Sequence, residues 1–227
     1  MRGASLQRAR LESASLRGAL LARADLTAAN ISRADFTAAT LSFAKITNVD
    51  AAFANFDGAL LDHASITDTV LRKASFRGAS LRGTALEDVR MIGASFDEHT
   101  QFSGFAGIDA RFIRCDLRAA NLDGTNLDQA SFTFSDLRRA SFRNAMLSEA
   151  QFHHINASGA SFRGAQLNTA DFRFAVLDGA DFRFAQLTDA LFVGASVEGA
   201  DFSDAVDAGK ANFQGATGHP KGLYGYL

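Results

Sequence analysis

Residues 160–192 read ASFRGAQLNTADFRFAVLDGADFRFAQLTDALF, where an alanine and a large apolar residue two positions later recur every five residues. We call the large residue the centre of its repeat. A step of five residues turns an α-helix about 140° beyond a full revolution, so the centres would spread around the helix. A flat strand would alternate with a period of two. The pattern therefore predicts a chain that turns a corner every five residues, with the alanine and the centre pointing inward.

The repeat extends over nearly all of the 227 residues. Nineteen centres run without a slip from Leu6 to Phe96, one residue is inserted, and twenty-two more centres run from Phe102 to Asp207. Only Gly107 and Asp207 are not apolar. Alanine lies two residues before the centre in 31 of the 41 repeats, which indicates one continuous core of repeated shape.

Phenylalanine shows how many corners make one coil, because it recurs at intervals of twenty residues. The three series are Phe36 to Phe96, Phe112 to Phe192 and Phe142 to Phe202. Twenty residues per coil correspond to four sides, with rings stacked along an interior column. About ten coils at the β-sheet spacing of ~4.8 Å give an all-β rod roughly 50 Å long.

Departures from the repeat preserve the interior volume, as close packing requires. Where the centre is small, the residue two before it is large: Val49 precedes Ala51, Ile155 precedes Ala157, and Phe105 precedes Gly107. Cys115, the single cysteine, occupies the same inward site. We therefore expect Cys115 to be a buried structural residue.

The motif A-(D/N)-(L/F)-x-x over residues 4–207 resembles the pentapeptide-repeat family. This resemblance implies a right-handed quadrilateral parallel β-helix. The expected organisation is a first solenoid run (1–96), an irregular bulge or partner-contacting loop (97–112), a second run of the same domain (113–207) and a C-terminal cap or association tail (208–227). In the tail, the apolar residues Leu223, Tyr224, Tyr226 and Leu227 lie outside any repeat and predict a lid or a homodimer contact at a solenoid end.

The sequence contains no pattern that predicts catalysis, a cofactor or a metal site. The five histidines have no metal-ligand spacing, and no nucleophile motif or phosphate-binding glycine loop is present. Convex, solidly packed walls offer no cleft. The composition, the lone cysteine and the absence of a long apolar stretch or a leader pattern predict a cytoplasmic protein that does not bind a membrane.

Charges fall unevenly when each repeat is assigned to one of the four sides. The side centred on Leu6, Leu26 and Ile46 carries nine acids and two bases, and the next side carries eight bases and three acids. The acids expected to contact a partner are Asp68, Glu87, Asp88, Asp109, Asp128, Glu149 and Asp189. Two interpretations remain open: duplication of residues that suit corners, or an anionic stripe that imitates a nucleic-acid backbone for a basic partner.

The family resemblance also implies the second interpretation. Quinolone-resistance members are held to mimic B-form DNA and to bind DNA gyrase, which protects the enzyme from drugs. The partner would then be a protein, with no direct nucleic-acid contact. The alternative is a structural or protein-interaction scaffold. Five outward phenylalanines are expected to pack on arginines or on one another: Phe43, Phe53, Phe134, Phe174 and Phe184.

Overall fold

A computed structural model of the chain describes residues 2–223, and parallel bridges join each coil to the next. Three coils contain strands of three residues, β1 (Lys45–Thr47), β2 (Ser65–Thr67) and β3 (Ala85–Glu87), which pair in parallel in the order β1-β2-β3. Nearly all other bridges join single residues twenty positions apart, such as Asp25 and Lys45. The chain is a right-handed quadrilateral parallel β-helix: the five-residue period predicts its four sides, and the family resemblance implies its handedness.

The four sides are named here by their centres, which follow one another at intervals of twenty residues. Side 1 has the centres Leu6 to Leu86 and Gly107 to Leu187; side 2, Leu11 to Met91 and Phe112 to Phe192; side 3, Leu16 to Phe96 and Leu117 to Val197; side 4, Leu21 to Leu81 and Phe102 to Phe202.

Backbone hydrogen bonds hold each coil on the next at every corner. In side 1, the Leu26 N–H donates to the Lys45 carbonyl (2.9 Å) and the Ala28 N–H donates to the Thr47 carbonyl (2.9 Å). Within the corner, the Ala29 N–H donates back to the Leu26 carbonyl (2.9 Å). In the repeats centred from Leu6 to Phe202, except that of Phe96, the residue two after the centre is left-handed, with φ between 50° and 62° where it is not glycine. That conformation costs about 1–2 kcal/mol per non-glycine residue, which these hydrogen bonds offset.

Stacked phenylalanines fill the interior, as the twenty-residue spacing predicts. In the first run, the rings of Phe36, Phe56 and Phe76 are 5.2 and 5.0 Å apart and nearly parallel. In the second run, a column on side 2 and a column on the opposite side 4 meet edge to face, as Phe172 and Phe182 do at 5.5 Å. The two runs therefore share one backbone plan and differ in how their cores are packed.

The inserted residue lies in the turn formed by residues 97–100. Thr100 is buried there, and its hydroxyl donates to the Phe76 carbonyl (2.9 Å). Bridging resumes at Gln101, which pairs with Ser80, and continues at Ala106 and Arg111. The irregular segment is thus narrower than the range 97–112 expected from the sequence, because residues 101–112 already form ordinary coils.

Phe105 and Gly107 confirm the expected exchange of volume beside this turn. Phe105 is 1% exposed, and a Cβ on Gly107 would lie 3.0 Å from the Phe105 ring. Phe105 also bridges Phe102 and Phe112, at ring distances of 5.2 and 6.3 Å. The aromatic column therefore passes from side 3 to side 2 without a gap.

A 3-10 helix, Ala208–Lys210, follows the last regular repeat, and a final coil then bridges its neighbour at Asn212, Thr217 and Lys221. Phe213 stacks on Phe192 at 4.7 Å, and Leu223 is 5% exposed against the core. Of the predicted tail residues, Tyr224, Tyr226 and Leu227 lie outside the described residues. Within residues 2–223, no helix is long and apolar enough to cross a membrane.

Candidate functional site

Five of the predicted acidic residues occupy one corner column, two residues after the centres of side 1. We call this column the carboxylate edge; it consists of Asp68, Asp88, Asp109, Glu149 and Asp189. All five residues are exposed. All five are left-handed, with φ from 50° to 59°. The turn geometry of the repeat therefore fixes the height and direction of each carboxylate.

Three of these carboxylates follow one another in consecutive coils. The Asp68 N–H donates to the Glu87 carbonyl (3.0 Å) and the Asp109 N–H donates to the Asp128 carbonyl (3.1 Å), so each corner contacts the next coil directly. Gln129 separates Asp109 from the next acid along the edge. The edge thus combines a continuous row of three acids with two more widely spaced ones.

The carboxylate edge forms one lip of a groove of about 730 Å³ on side 2. Asp68, Asp88 and Asp109 line it together with Arg90 and Arg111. The expected separation into an acidic side and a basic side is therefore corrected. A residue two after the centre forms the corner itself and directly precedes the inward residue of side 2. The carboxylates consequently project from side 2, beside its arginines.

Opposite charges line this groove without pairing. Within residues 2–223, neither Arg90 nor Arg111 has a carboxylate oxygen within 4.0 Å, and Asp68, Asp88 and Asp109 have no ion pair. Exposed ion pairs contribute only about 0–1 kcal/mol, so leaving them unformed costs little. All five charged groups are available to a partner.

The other two predicted acids lie one residue after a centre of side 1. Glu87 is exposed, whereas Asp128 is half-buried and its carboxylate accepts a hydrogen bond from the Ser148 N–H (2.8 Å). Asp128 therefore stabilises a corner of the neighbouring coil. It is not part of the carboxylate edge.

Acids in the position before the centre are used within the fold. The Asp35 carboxylate accepts hydrogen bonds from the hydroxyl and the N–H of Thr37, and these bonds lower its pKa to about 2. In the second run, Arg118 binds Asp116 and Arg138 binds Asp136 through paired contacts, which lower the pKa of both carboxyls. These acids hold the corner together, which distinguishes them from the carboxylate edge.

The outward phenylalanines pack as expected, on cations and on other rings. The Phe53 ring lies 5.1 Å from the guanidinium of Arg72, and His154 stacks between Phe134 and Phe174 at 5.1 and 5.2 Å. The stacking of His154 is not predicted above, although its spacing of twenty residues from both rings indicates it. Since neighbouring rings cover one another's faces, mainly their edges face the solvent. Base stacking on this column would first require the rings to separate.

Cys115 is 2% exposed, and burial raises the pKa of its thiol to about 12. It is structural, as expected, because a protonated buried thiol is a poor nucleophile. Within residues 2–223, no group of three His, Cys, Asp or Glu side chains is close enough to hold a metal ion.

Comparison with known proteins identifies the repeat. The family profile "Pentapeptide repeat region" matches residues 105–182, and "Pentapeptide repeats (8 copies)" matches residues 4–42, 54–91, 165–204 and 180–217. A search of curated protein sequences finds no significant match.

Solved structures similar to this chain include HetL, a pentapeptide repeat protein involved in heterocyst differentiation regulation from the cyanobacterium Nostoc sp. strain PCC 7120. The two are 28% identical over 95% of this chain and 87% of HetL, with a TM-score of 0.43. A pentapeptide repeat protein of the Arabidopsis thaliana thylakoid lumen is 34% identical over 42% of this chain and 66% of its own, with a TM-score of 0.41. QnrB1, a plasmid-mediated fluoroquinolone resistance protein, is 18% identical over 96% of this chain and 91% of its own, also with a TM-score of 0.41. From the profile matches and the five-residue repeat, the chain belongs to the pentapeptide-repeat family.

Proposed function

We propose that this chain is a non-catalytic binding protein that docks a basic protein surface along the carboxylate edge. The observation that carries the proposal is the row formed by Asp68, Asp88 and Asp109, exposed and without ion pairs within residues 2–223. Like charges about 5 Å apart in water repel by roughly 0.8 kcal/mol per pair. The fold does not require them, since Asn48 and Gln129 occupy the same column. A ligand of opposite charge would offset this repulsion, which is a reason for the row to be present.

The more specific proposal is that the partner is a type II topoisomerase, DNA gyrase, and that binding protects it from quinolones in the cytoplasm. The carboxylates of Asp68, Asp88 and Asp109 lie about 4.8 Å apart along the rod, while successive phosphates of one DNA strand rise about 3.4 Å each. From Asp68 to Asp189 the edge spans six coil steps, or about 29 Å. A surface that binds DNA phosphates would therefore meet charges of the same sign at a wider spacing.

A second candidate is a scaffold for a partner that carries charges of both signs. Arg90 and Arg111 favour it, because they line the same groove as the carboxylates and would face an incoming basic surface. Pairing of two copies through a solenoid end stays a prediction. The mass of the chain in solution, measured by light scattering without a partner, tests it.

The first experiment measures DNA supercoiling by gyrase, with and without a quinolone, in the presence of the wild-type chain. A variant with Asp68, Asp88, Asp109, Glu149 and Asp189 changed to Asn or Gln should lose protection, and the wild-type effect should weaken as salt rises. A control variant with Arg72, Lys73 and Arg114 changed to Gln should retain it. If the neutralised variant protects gyrase as well as wild type, the edge is not the docking site.

Arg90→Gln with Arg111→Gln separates the two candidates. If the edge imitates DNA, removing these cations should tighten gyrase binding, because they oppose a basic partner. If the groove recognises a partner of mixed charge, the same change should weaken binding. If the wild-type chain has no effect on gyrase at any salt concentration, the topoisomerase proposal is wrong, and the scaffold is the remaining candidate.

A further inference from the structure

Three arginines occupy consecutive coils on side 4, opposite the groove of side 2. Arg143, Arg163 and Arg183 each lie one residue after a centre. The Asn144 N–H donates to the Arg163 carbonyl (3.0 Å) and the Gly164 N–H donates to the Arg183 carbonyl (2.9 Å). The arginines are therefore stacked one coil apart, at about 4.8 Å. Together with Asn144 they line a groove of about 300 Å³.

Four arginines in this position are neutralised by the carboxylate of their own repeat: Arg118, Arg138, Arg173 and Arg183. In the sequence Asp-x-Arg, the guanidinium binds the carboxylate two residues earlier, as Arg138 binds Asp136 at 2.6 Å. Arg183 follows this rule and binds Asp181 through two bonds of 2.9 and 2.8 Å. The repeats of Arg143 and Arg163 instead have the sequence Ser-x-Arg.

The guanidiniums of Arg143 and Arg163 form no ion pair within residues 2–223. The Arg143 guanidinium donates to the Ser161 hydroxyl at 3.4 Å, and the Arg163 guanidinium lies over the Phe184 ring at 4.5 Å. Neither has a carboxylate oxygen within 4.0 Å. Packing on the ring also restricts the Arg163 side chain before any ligand arrives.

The acids around this groove are already engaged. Asp123 accepts hydrogen bonds from the Ser141 hydroxyl (2.5 Å) and the Arg143 N–H (2.8 Å). Asp201 accepts from the Ser203 N–H (2.9 Å) and lies 3.9 Å from Arg183, which also binds Asp181. The groove itself is lined only by arginines and an asparagine.

We propose that the Arg143–Arg163–Arg183 groove binds a phosphate group. A guanidinium presents parallel N–H donors that match phosphate oxygens, and charge-assisted hydrogen bonds of this kind are about twice as strong as neutral ones. A tetrahedral phosphate has oxygens directed to several sides, so it accepts from two stacked guanidiniums at once. A carboxylate has only two oxygens in one plane, so it accepts the paired N–H donors of a single guanidinium. The phosphate is either a free anion or the headgroup of a lipid.

The first test titrates the chain with inorganic phosphate at low ionic strength and follows the arginine side-chain signals by NMR. Arg163→Gln and Arg143→Gln should each weaken binding about tenfold or more, the loss expected for one charge-assisted contact. Arg138→Gln is the matched control: it also removes one positive charge, but from an arginine paired with Asp136. It should change the affinity by less than about twofold.

Thermal melting of each variant shows that the fold is intact, as expected for changes at the surface. The source of the phosphate is tested with pyrophosphate and with phosphatidylcholine vesicles that contain phosphatidic acid. Binding of free phosphate that depends on Arg163 supports a soluble ligand, and binding only of the vesicles that depends on Arg163 supports a headgroup. Binding of neither probe, or equal weakening by Arg138→Gln and Arg163→Gln, would overturn the proposal.

Discussion

The first run, residues 6–96, and the second run, residues 102–202, share one coil but fill it differently. In the first run, rings form a single column on side 3, and aliphatic centres such as Ile46 and Ile66 face them from side 1. In the second run, two aromatic columns face each other on sides 2 and 4. Phe56 contacts two rings, whereas Phe152 stacks on Phe132 and Phe172 and meets two more rings edge to face.

This difference shows that the repeat fixes the backbone while leaving the core packing open. Edge-to-face pairs add about 0.5–1.5 kcal/mol beyond the area they bury. They also link opposite sides of the same coil, which stacking along one column does not do. We therefore expect the second run to resist opening more than the first.

The largest effect should come from removing a ring of the second run. Phe152→Ala should lower the free energy of unfolding by about 3–5 kcal/mol, because four rings surround the cavity and the coils above and below hold them in place. Phe56→Ala should cost less, since the aliphatic neighbours can shift into the space. Urea unfolding of both variants measures the difference. Equal losses would show that the edge-to-face contacts add nothing.

Adding volume to the core should also destabilise the second run more than the first, although the loss of stability should be smaller than for removing a ring. Ala170 and Ala54 are buried in equivalent inward sites, each two residues before a phenylalanine centre. Ala170→Leu should destabilise by about 1–3 kcal/mol, and Ala54→Leu by less, because two aromatic columns leave less room for adjustment. Melting temperatures of the two variants give the comparison, and a stabilised Ala170→Leu would contradict close packing of the second run.

A buried threonine hydroxyl should contribute about the same stability in each of the two runs. The Thr84 hydroxyl donates to the Leu61 carbonyl (2.9 Å) in the first run, and the Thr125 hydroxyl donates to the Leu122 carbonyl (2.6 Å) in the second. Thr84→Val and Thr125→Val should each cost about 1 kcal/mol, the usual net contribution of one hydrogen bond. A clearly larger loss in either run, measured by urea unfolding, would mean that the hydroxyl also positions its coil.

The smallest effect concerns pH. Arg118 lowers the pKa of Asp116 in the folded chain below the ordinary value of 3.8. The resulting stability is present above about pH 4 and is lost as the pH falls through the lowered value. Arg118→Gln should therefore reduce the melting temperature slightly at pH 6, by an amount equivalent to about 0.2–1 kcal/mol, and by less at pH 2.5. The same reduction at both pH values would show that packing, not charge, explains the loss.

The sequence predicted the coil, the aromatic columns, the exchange at Phe105 and the burial of Cys115, because each follows from volume and period alone. It assigned Asp68, Asp88 and Asp109 to the wrong side. The count treated each repeat as symmetric about its centre, whereas the left-handed corner residue belongs to the next side. The unpaired state of Arg90 and Arg163 depends on side-chain contacts between coils, which the repeat does not specify.

The coil has a consequence for how such a chain can change in length. Every repeat forms one side, so gaining or losing five residues would rotate everything downstream by a quarter turn. The interior would still receive an alanine and a large apolar centre at each step. The surface columns, which depend on residues twenty apart, would be cut and joined to unrelated ones: the carboxylate edge would end at the junction, and so would the arginine column on side 4. We therefore expect these surface columns to survive length changes only in whole coils of twenty residues.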